Sequence, residues 1–124
     1  MDAKQVGMKL VEFCRNGLNL EAISSLYSPD IVSVEAMGAA EMPAEQHGID
    51  KVAKNKWWYE NHEIHHARAE GPFPHQDRFA VIFDYEVTPK SGPFTGKRNR
   101  FQEVALYTVK DGKIVREEFF YDAG

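Results

Sequence analysis

"EVALYTVKDGKIVREEFFYD", residues 103–122, decides how this chain is read. Apolar and polar residues alternate on both sides of Lys110-Asp111-Gly112, which predicts two strands joined by a tight turn. The stretch also carries four carboxylates between Glu103 and Glu118, set among aromatic rings. Whether those acids meet water or a pocket depends on the register, because a shift of one residue exchanges the two faces.

Two turns are open. A two-residue Asp111-Gly112 turn pairs Lys110 with Lys113. A three-residue loop pairs Val109 with Lys113 and leaves Gly112 as a left-handed bulge. The second is favoured because Gly112 takes the position that needs a positive φ. It groups Phe101, Glu103, Ala105, Tyr107 and Val109 with Val115, Glu117, Phe119 and Tyr121, the composition of a pocket wall. The opposite face holds Gln102, Val104, Leu106, Thr108, Ile114, Arg116, Glu118 and Phe120, which suits a partner subunit better than water. The tighter turn instead groups Glu103 with Glu118.

Upstream, "RFAVIFDYEVT" (residues 78–88) alternates with period two. Phe79, Val81, Phe83, Tyr85 and Val87 form an apolar face, which leaves Asp84 and Glu86 solvated or interfacial. Strands are also expected around His65 to Glu70 and from Arg98. "GPFPHQD" (residues 71–77) and "TPKSGPFTG" (residues 88–96) read as turns. The first half is helical in pattern. "AKQVGMKLVEFCRNG" (residues 3–17) puts Val6, Leu10, Phe13 and Cys14 on one stripe, with Gly17 as the stop. "NLEAISSLYSPD" (residues 19–30) is a short helix capped by Asn19 and ended by Pro29-Asp30, followed by a strand in which Ile31, Ser33 and Glu35 share a side. "MPAEQHG" is a loop, and "IDKVAKNKWWYEN" (residues 49–61) is a third helix bearing Trp57 and Trp58. Helices first and hairpin strands after predict an α+β domain, a curved antiparallel sheet wrapped around three N-terminal helices.

With 124 residues, 43% of them hydrophobic, the chain holds one core and is expected to form a single domain over residues 1–124. The net charge of −4, with Lys and Arg scattered, argues against a nucleic-acid or membrane partner. The single Cys14 permits no internal disulfide and fits a reducing compartment. No signal peptide or membrane span is read, so a cytoplasmic location is expected. "HEIHH", residues 62–66, matches the H-E-x-x-H zinc pattern, but that pattern needs a helix and the segment sits where a strand begins. No third ligand is evident, and neither metal nor cofactor is expected.

"SLYSPDIVSVEAMG", "GPFPHQDRFAVIFDYEVTPKSGPF" and the closing hairpin together resemble the SnoaL-like domains of the nuclear-transport-factor-2-like superfamily, over almost the whole chain. The resemblance implies a cone with an apolar pocket and a homodimer through the outer sheet face. Its members include ketosteroid isomerases, polyketide cyclases, scytalone dehydratases and limonene-epoxide hydrolases. Laid on the ketosteroid isomerase segment, Glu35 falls at the general-base position. Val11 and Ala105 fall where that enzyme has its oxyanion donors, and Arg100 is followed two residues on by Gln102, not by the Asp of the epoxide hydrolases.

The expected ligand is a small hydrophobic organic molecule. Glu35 is the candidate base and His65, grouped with Ala67 and Ala69, its proton partner. Trp57, Trp58, Phe83, Phe101, Glu103, Tyr107, Glu117, Phe119 and Tyr121 are the candidate ligand-binding residues. Glu103 and Glu117 either share a proton or pair with Arg98, Arg100 or Arg116 at a rim. Proton transfer of isomerase, cyclase or dehydratase type is the leading reading. A non-catalytic carrier or sensor is the second, and an accessory domain using the outer sheet is the third.

Overall fold

The computed structural model describes residues 1–36, 45–49 and 60–121. It begins with α1 (Ala3–Arg15), opened by a capping box in which Asp2 accepts from the Gln5 amide at 2.9 Å and the Gln5 side chain accepts from the Asp2 amide at 3.0 Å. Gly17, at φ 70°, closes it: Leu18 N–H reaches the Phe13 carbonyl at 2.9 Å and Gly17 N–H that of Cys14 at 3.2 Å. Val6 and Leu10 from the expected stripe are buried, joined by Ala3 and Val11, while Phe13 and Cys14 pack at its edge. Removing a Val or Leu side chain from water stabilises a fold by roughly 1.5–3 kcal/mol, so this stripe docks the helix.

α2 (Asn19–Leu26) starts one residue earlier than expected: Leu18 is the cap residue, without a side-chain bond, and Asn19 instead donates to Cys14 Sγ at 3.6 Å. Nor does Pro29-Asp30 end it. The backbone is already extended at Tyr27, and β1 (Tyr27–Val34) runs through the Pro. β2 (Glu45–His47) lies in the expected "MPAEQHG" loop and pairs antiparallel with β1. Then follow β3 (His62–His75), β4 (Arg78–Pro89), β5 (Asn99–Lys110) and β6 (Lys113–Phe120). Two helices, not three, are seen among the described residues. The expected third helix falls largely on residues 50–59, which with Trp57 and Trp58 lie outside them.

The curved six-stranded sheet has the order β2-β1-β6-β5-β4-β3. It is not wholly antiparallel, because β1 and β6 pair parallel. β3 is longer than expected: "GPFPH" stays in the ladder to β4 across a register shift between Glu70 and Phe73, and the turn falls at Gln76-Asp77. The helices cover the concave face, where Phe79, Val81, Phe83, Tyr85 and Val87 are all buried as their alternation predicted. At Gly7 the α1 backbone comes so close to the sheet that a Cβ would stand 2.7 Å from the Pro72 Cβ and 3.0 Å from the Phe79 ring.

The β5–β6 hairpin follows neither turn in full. Lys110 pairs with Lys113 around Asp111-Gly112, with φ values of 52° and 77°, the two left-handed residues of a two-residue turn. One pair further on, Val109 faces Ile114 but Thr108 faces Arg116, so an extra residue, Val115, sits in β6. That bulge turns Ile114 into the core, fully buried, and returns the odd-numbered residues to the concave face. Glu103, Tyr107, Glu117 and Phe119 therefore share a face as expected. Ile114 does not lie on the outer face, and Tyr107 opposes Glu117, not Val115.

Candidate functional site

Glu117 is the centre of the concave face. It is only 2% exposed, and the register sets Ser33 of β1 on one side of it and Tyr107 of β5 on the other. The Ser33 hydroxyl donates to Oε1 at 2.8 Å and the Tyr27 hydroxyl donates to Oε2. A buried carboxyl with two hydroxyl donors is satisfied without a cation. Burial pushes it up to about 7; the two hydroxyl bonds pull it down and the nearby Glu35 charge pushes it up further.

Glu103 stands on the same face, directly across from Phe83 and half-buried. Burial and then the charges of Glu35 and Glu117 push it up to about 7. Glu35, just past the end of β1, is half-buried and accepts from the Tyr121 hydroxyl at 3.2 Å. Burial raises it, against the lowering effect of that bond. The three carboxylates thus form one electrostatically coupled group. Rim ion pairing, the other expectation for Glu103 and Glu117, does not occur: Arg98 bonds Glu86, Arg100 holds Asp84 through both carboxylate oxygens, and Arg116 reaches Glu118 at 3.3 Å. These pairs lie on the outer face, where Arg100 keeps the Asp84 carboxyl below its usual range.

Tyr107 is 2% exposed and stacks on Phe79 with ring centroids 4.9 Å apart. Burial, then the Glu117 charge, holds its hydroxyl well above the usual phenol range, so it stays protonated. The Tyr27 hydroxyl is raised by the same two causes. Phe83, Tyr85 and Phe101 form a ladder of rings with centroid separations of 6.0 and 5.3 Å. Phe101 and Phe119 are partly buried against the core. A cavity of about 170 Å³ is lined by Phe83 and Tyr85 of the ring ladder with Cys14, Ile64, Arg68 and Ala69 among others; none of the three carboxylates lines it. Burial pushes the Cys14 thiol up to about 12, which keeps it neutral and apolar in character.

His65 does not join this group. A register shift between Ile64 and His66 turns it out of the cone, where it is exposed and its Nε2 lies 2.7 Å from Thr88 Oγ1. "HEIHH" is strand throughout, so its histidines lack the one-turn spacing of the zinc pattern. Tyr27 and Ser33 were missed as site residues. Their signal was present in the Ile31, Ser33, Glu35 alternation, but only the parallel β1–β6 pairing brings that strand to Glu117.

The family model described as a SnoaL-like domain matches residues 1–121. Among solved structures, a Mesorhizobium loti protein is 40% identical, with a TM-score of 0.88, over 98% of this chain and 100% of its own. Its name proposes a SnoaL-like polyketide cyclase and carries "carbohydrate phosphatase" in brackets. An NTF2-like protein from Burkholderia thailandensis aligns with a TM-score of 0.79 at 18% identity, over 98% of this chain and 92% of its own. A proposed polyketide cyclase from Pseudomonas putida aligns at 0.75 and 16% identity, over 99% and 93%. These last two likenesses concern the fold alone. No curated protein matches the chain.

Proposed function

This chain belongs to the SnoaL-like domain family, and on that premise we propose that its cone binds a small hydrophobic organic molecule and moves a proton on it, as an isomerase, cyclase or dehydratase does. The observation that carries the reading is the coupled group of Glu35, Glu103 and Glu117, with two members pushed up to about 7. Near neutral pH such a group holds both a carboxylate and a carboxylic acid. General acid–base catalysis is most effective with groups poised in that way.

Glu35, oriented by Tyr121, takes a proton from a carbon next to a carbonyl. Glu103, protonated, returns one to the substrate oxygen or to another carbon. Glu117, held by Tyr27 and Ser33 on the same face, raises Glu103 by its charge. The ring ladder and the adjoining cavity hold the apolar body of the substrate. The cyclase proposed for the Mesorhizobium protein fits this chemistry.

A homodimer through the outer sheet face belongs to the same proposal. Val104 and Phe120 face each other there at 40% and 54% exposure, ringed by the Asp84–Arg100 and Arg116–Glu118 pairs. An apolar centre with a polar rim is the anatomy of an interface.

The test is exchange of solvent deuterium into polyketide-like aromatic ketones, followed by mass spectrometry, which detects proton abstraction before any product is known. Wild type should exchange, and Glu35→Gln should lose at least a hundredfold while still binding. Wild-type exchange in Glu35→Gln would remove Glu35 from the mechanism. Binding without exchange in wild type would favour a carrier.

A further inference from the structure

We propose that the apolar end of the molecule bound in this cone is a single six-membered ring, seated in the cavity between the end of α1 and β3, and that Ala67 and Ala69 set this size. The inference rests on the pocket reading above and adds the dimensions of the ligand and the residues that select them.

The cavity arises where α1 and the sheet part. At Gly7 the helix lies so close to Pro72 and Phe79 that a Cβ has no room. About two turns on, the helix ends at Arg15 and the chain turns at Gly17. There β3 presents methyl groups: Ala67 pairs with Tyr85 and Ala69 with Phe83, so both alanines share the inward row of those rings. The space left, about 170 Å³, is floored by Phe83 and Tyr85, whose rings stack with centroids 6.0 Å apart, and is bordered by Cys14, Gly17 and Ile64. Arg15 holds its width, because its Nε donates to the Ala69 carbonyl at 3.1 Å and ties the last turn of α1 to β3.

The walls are apolar in chemistry. Asn19 directs its amide to Cys14 Sγ at 3.6 Å, and the thiol is neutral. Arg68 belongs to the outward row of β3, across from Asp84, and bonds Glu70 at 3.0 Å. A cavity of about 150 Å³ lined by apolar side chains takes up one benzene ring. The 170 Å³ here therefore accommodates one six-membered ring and not two fused ones, with the Phe83 and Tyr85 rings offering it a stacking partner. The register places the other end of the ligand. Glu103 lies directly across from Phe83 on the next strand, about 4.8 Å away. A ring seated against Phe83 thus carries its functional group toward that carboxyl.

Calorimetry with acetophenone and 2-acetylnaphthalene, which differ by one fused ring, tests this. Wild type should bind acetophenone at least tenfold more tightly. Ala67→Leu, at an exposed position and checked for folding by its thermal transition, should weaken acetophenone at least tenfold by filling the cavity. Ile64→Ala, which removes bulk from the same wall, should bring 2-acetylnaphthalene to the affinity of acetophenone. Equal or tighter binding of 2-acetylnaphthalene by wild type would overturn the size assignment and leave the pocket reading standing. Unchanged acetophenone binding in folded Ala67→Leu, or an unchanged preference in Ile64→Ala, would overturn the seating of the ring in this cavity. Failure of both ketones to bind the folded wild type would overturn the inference and the pocket reading together.

Discussion

Ser33 and Glu117 face each other across the parallel pairing of β1 and β6, and the Ser33 hydroxyl donates to Glu117 Oε1 at 2.8 Å. With Tyr27 on the other oxygen, this contact ties the first strand of the chain to the last around a buried acid. The same contact sets the chemistry of the cone, because the charge of Glu117 acts on Glu103, Tyr107 and Tyr27.

The buried acid makes stability fall as pH rises. Glu117 has a folded value of about 7 against 4.5 unfolded, so the folded state holds the proton more tightly. Its contribution is favourable below about 4.5, declines between there and about 7, and is flat above. The shift corresponds to on the order of 3 kcal/mol. Glu117→Gln should remove this part of the slope in urea titrations at pH 5 and pH 8. Glu117→Leu should instead cost about 1–3 kcal/mol for each hydroxyl left without its partner.

Gly7 should tolerate no side chain. The Cβ would sit 2.7 Å from a Pro72 ring carbon, which cannot swing aside as a long side chain can. Gly7→Val should destabilise by about 1–3 kcal/mol through overpacking. Denaturant unfolding checks it, with Met8→Val as the control one residue on, at an exposed position.

The outer face should carry the dimer. Phe120→Glu places a charge at a position 54% exposed, so the monomer fold should survive while the assembly dissociates. Light scattering should report halved mass with unchanged circular dichroism.

Tyr121 should set the pH profile of proton abstraction. Its hydroxyl bond lowers Glu35, so Tyr121→Phe should raise it. The acidic limb of the deuterium-exchange profile, where Glu35 loses its proton and becomes the base, should move to higher pH, with binding little changed.

Much of this architecture is legible in the residues. The alternation from Phe79 to Val87 gives the concave face of β4 directly, because a strand covered on one side must alternate. Glu103, Tyr107, Glu117 and Phe119 come out on one face for a reason the reading only half contains. Asp111-Gly112 takes the tight turn that the dipeptide permits, and the bulge moves to Val115, where it restores the parity. His65 fails through the same kind of event: a one-residue shift at Ile64/His66 sends it outward, and no local composition announces it. "GPFPHQD" reads as a turn from its Gly and Pro, yet its first residues remain in the ladder because long-range pairing overrides local preference. The Tyr27 and Ser33 bonds to Glu117 span 90 and 84 residues, beyond what local pattern reaches.

The central claim is a coupled acid group poised near neutrality, and carbon NMR of protein labelled at the glutamate side-chain carboxyls tests it without any ligand. Two carboxyl resonances should titrate near 7, one vanishing in Glu103→Gln and the other in Glu117→Gln. If every glutamate in the folded protein titrates between about 4 and 5, as unperturbed carboxyls do, the acid–base account is wrong.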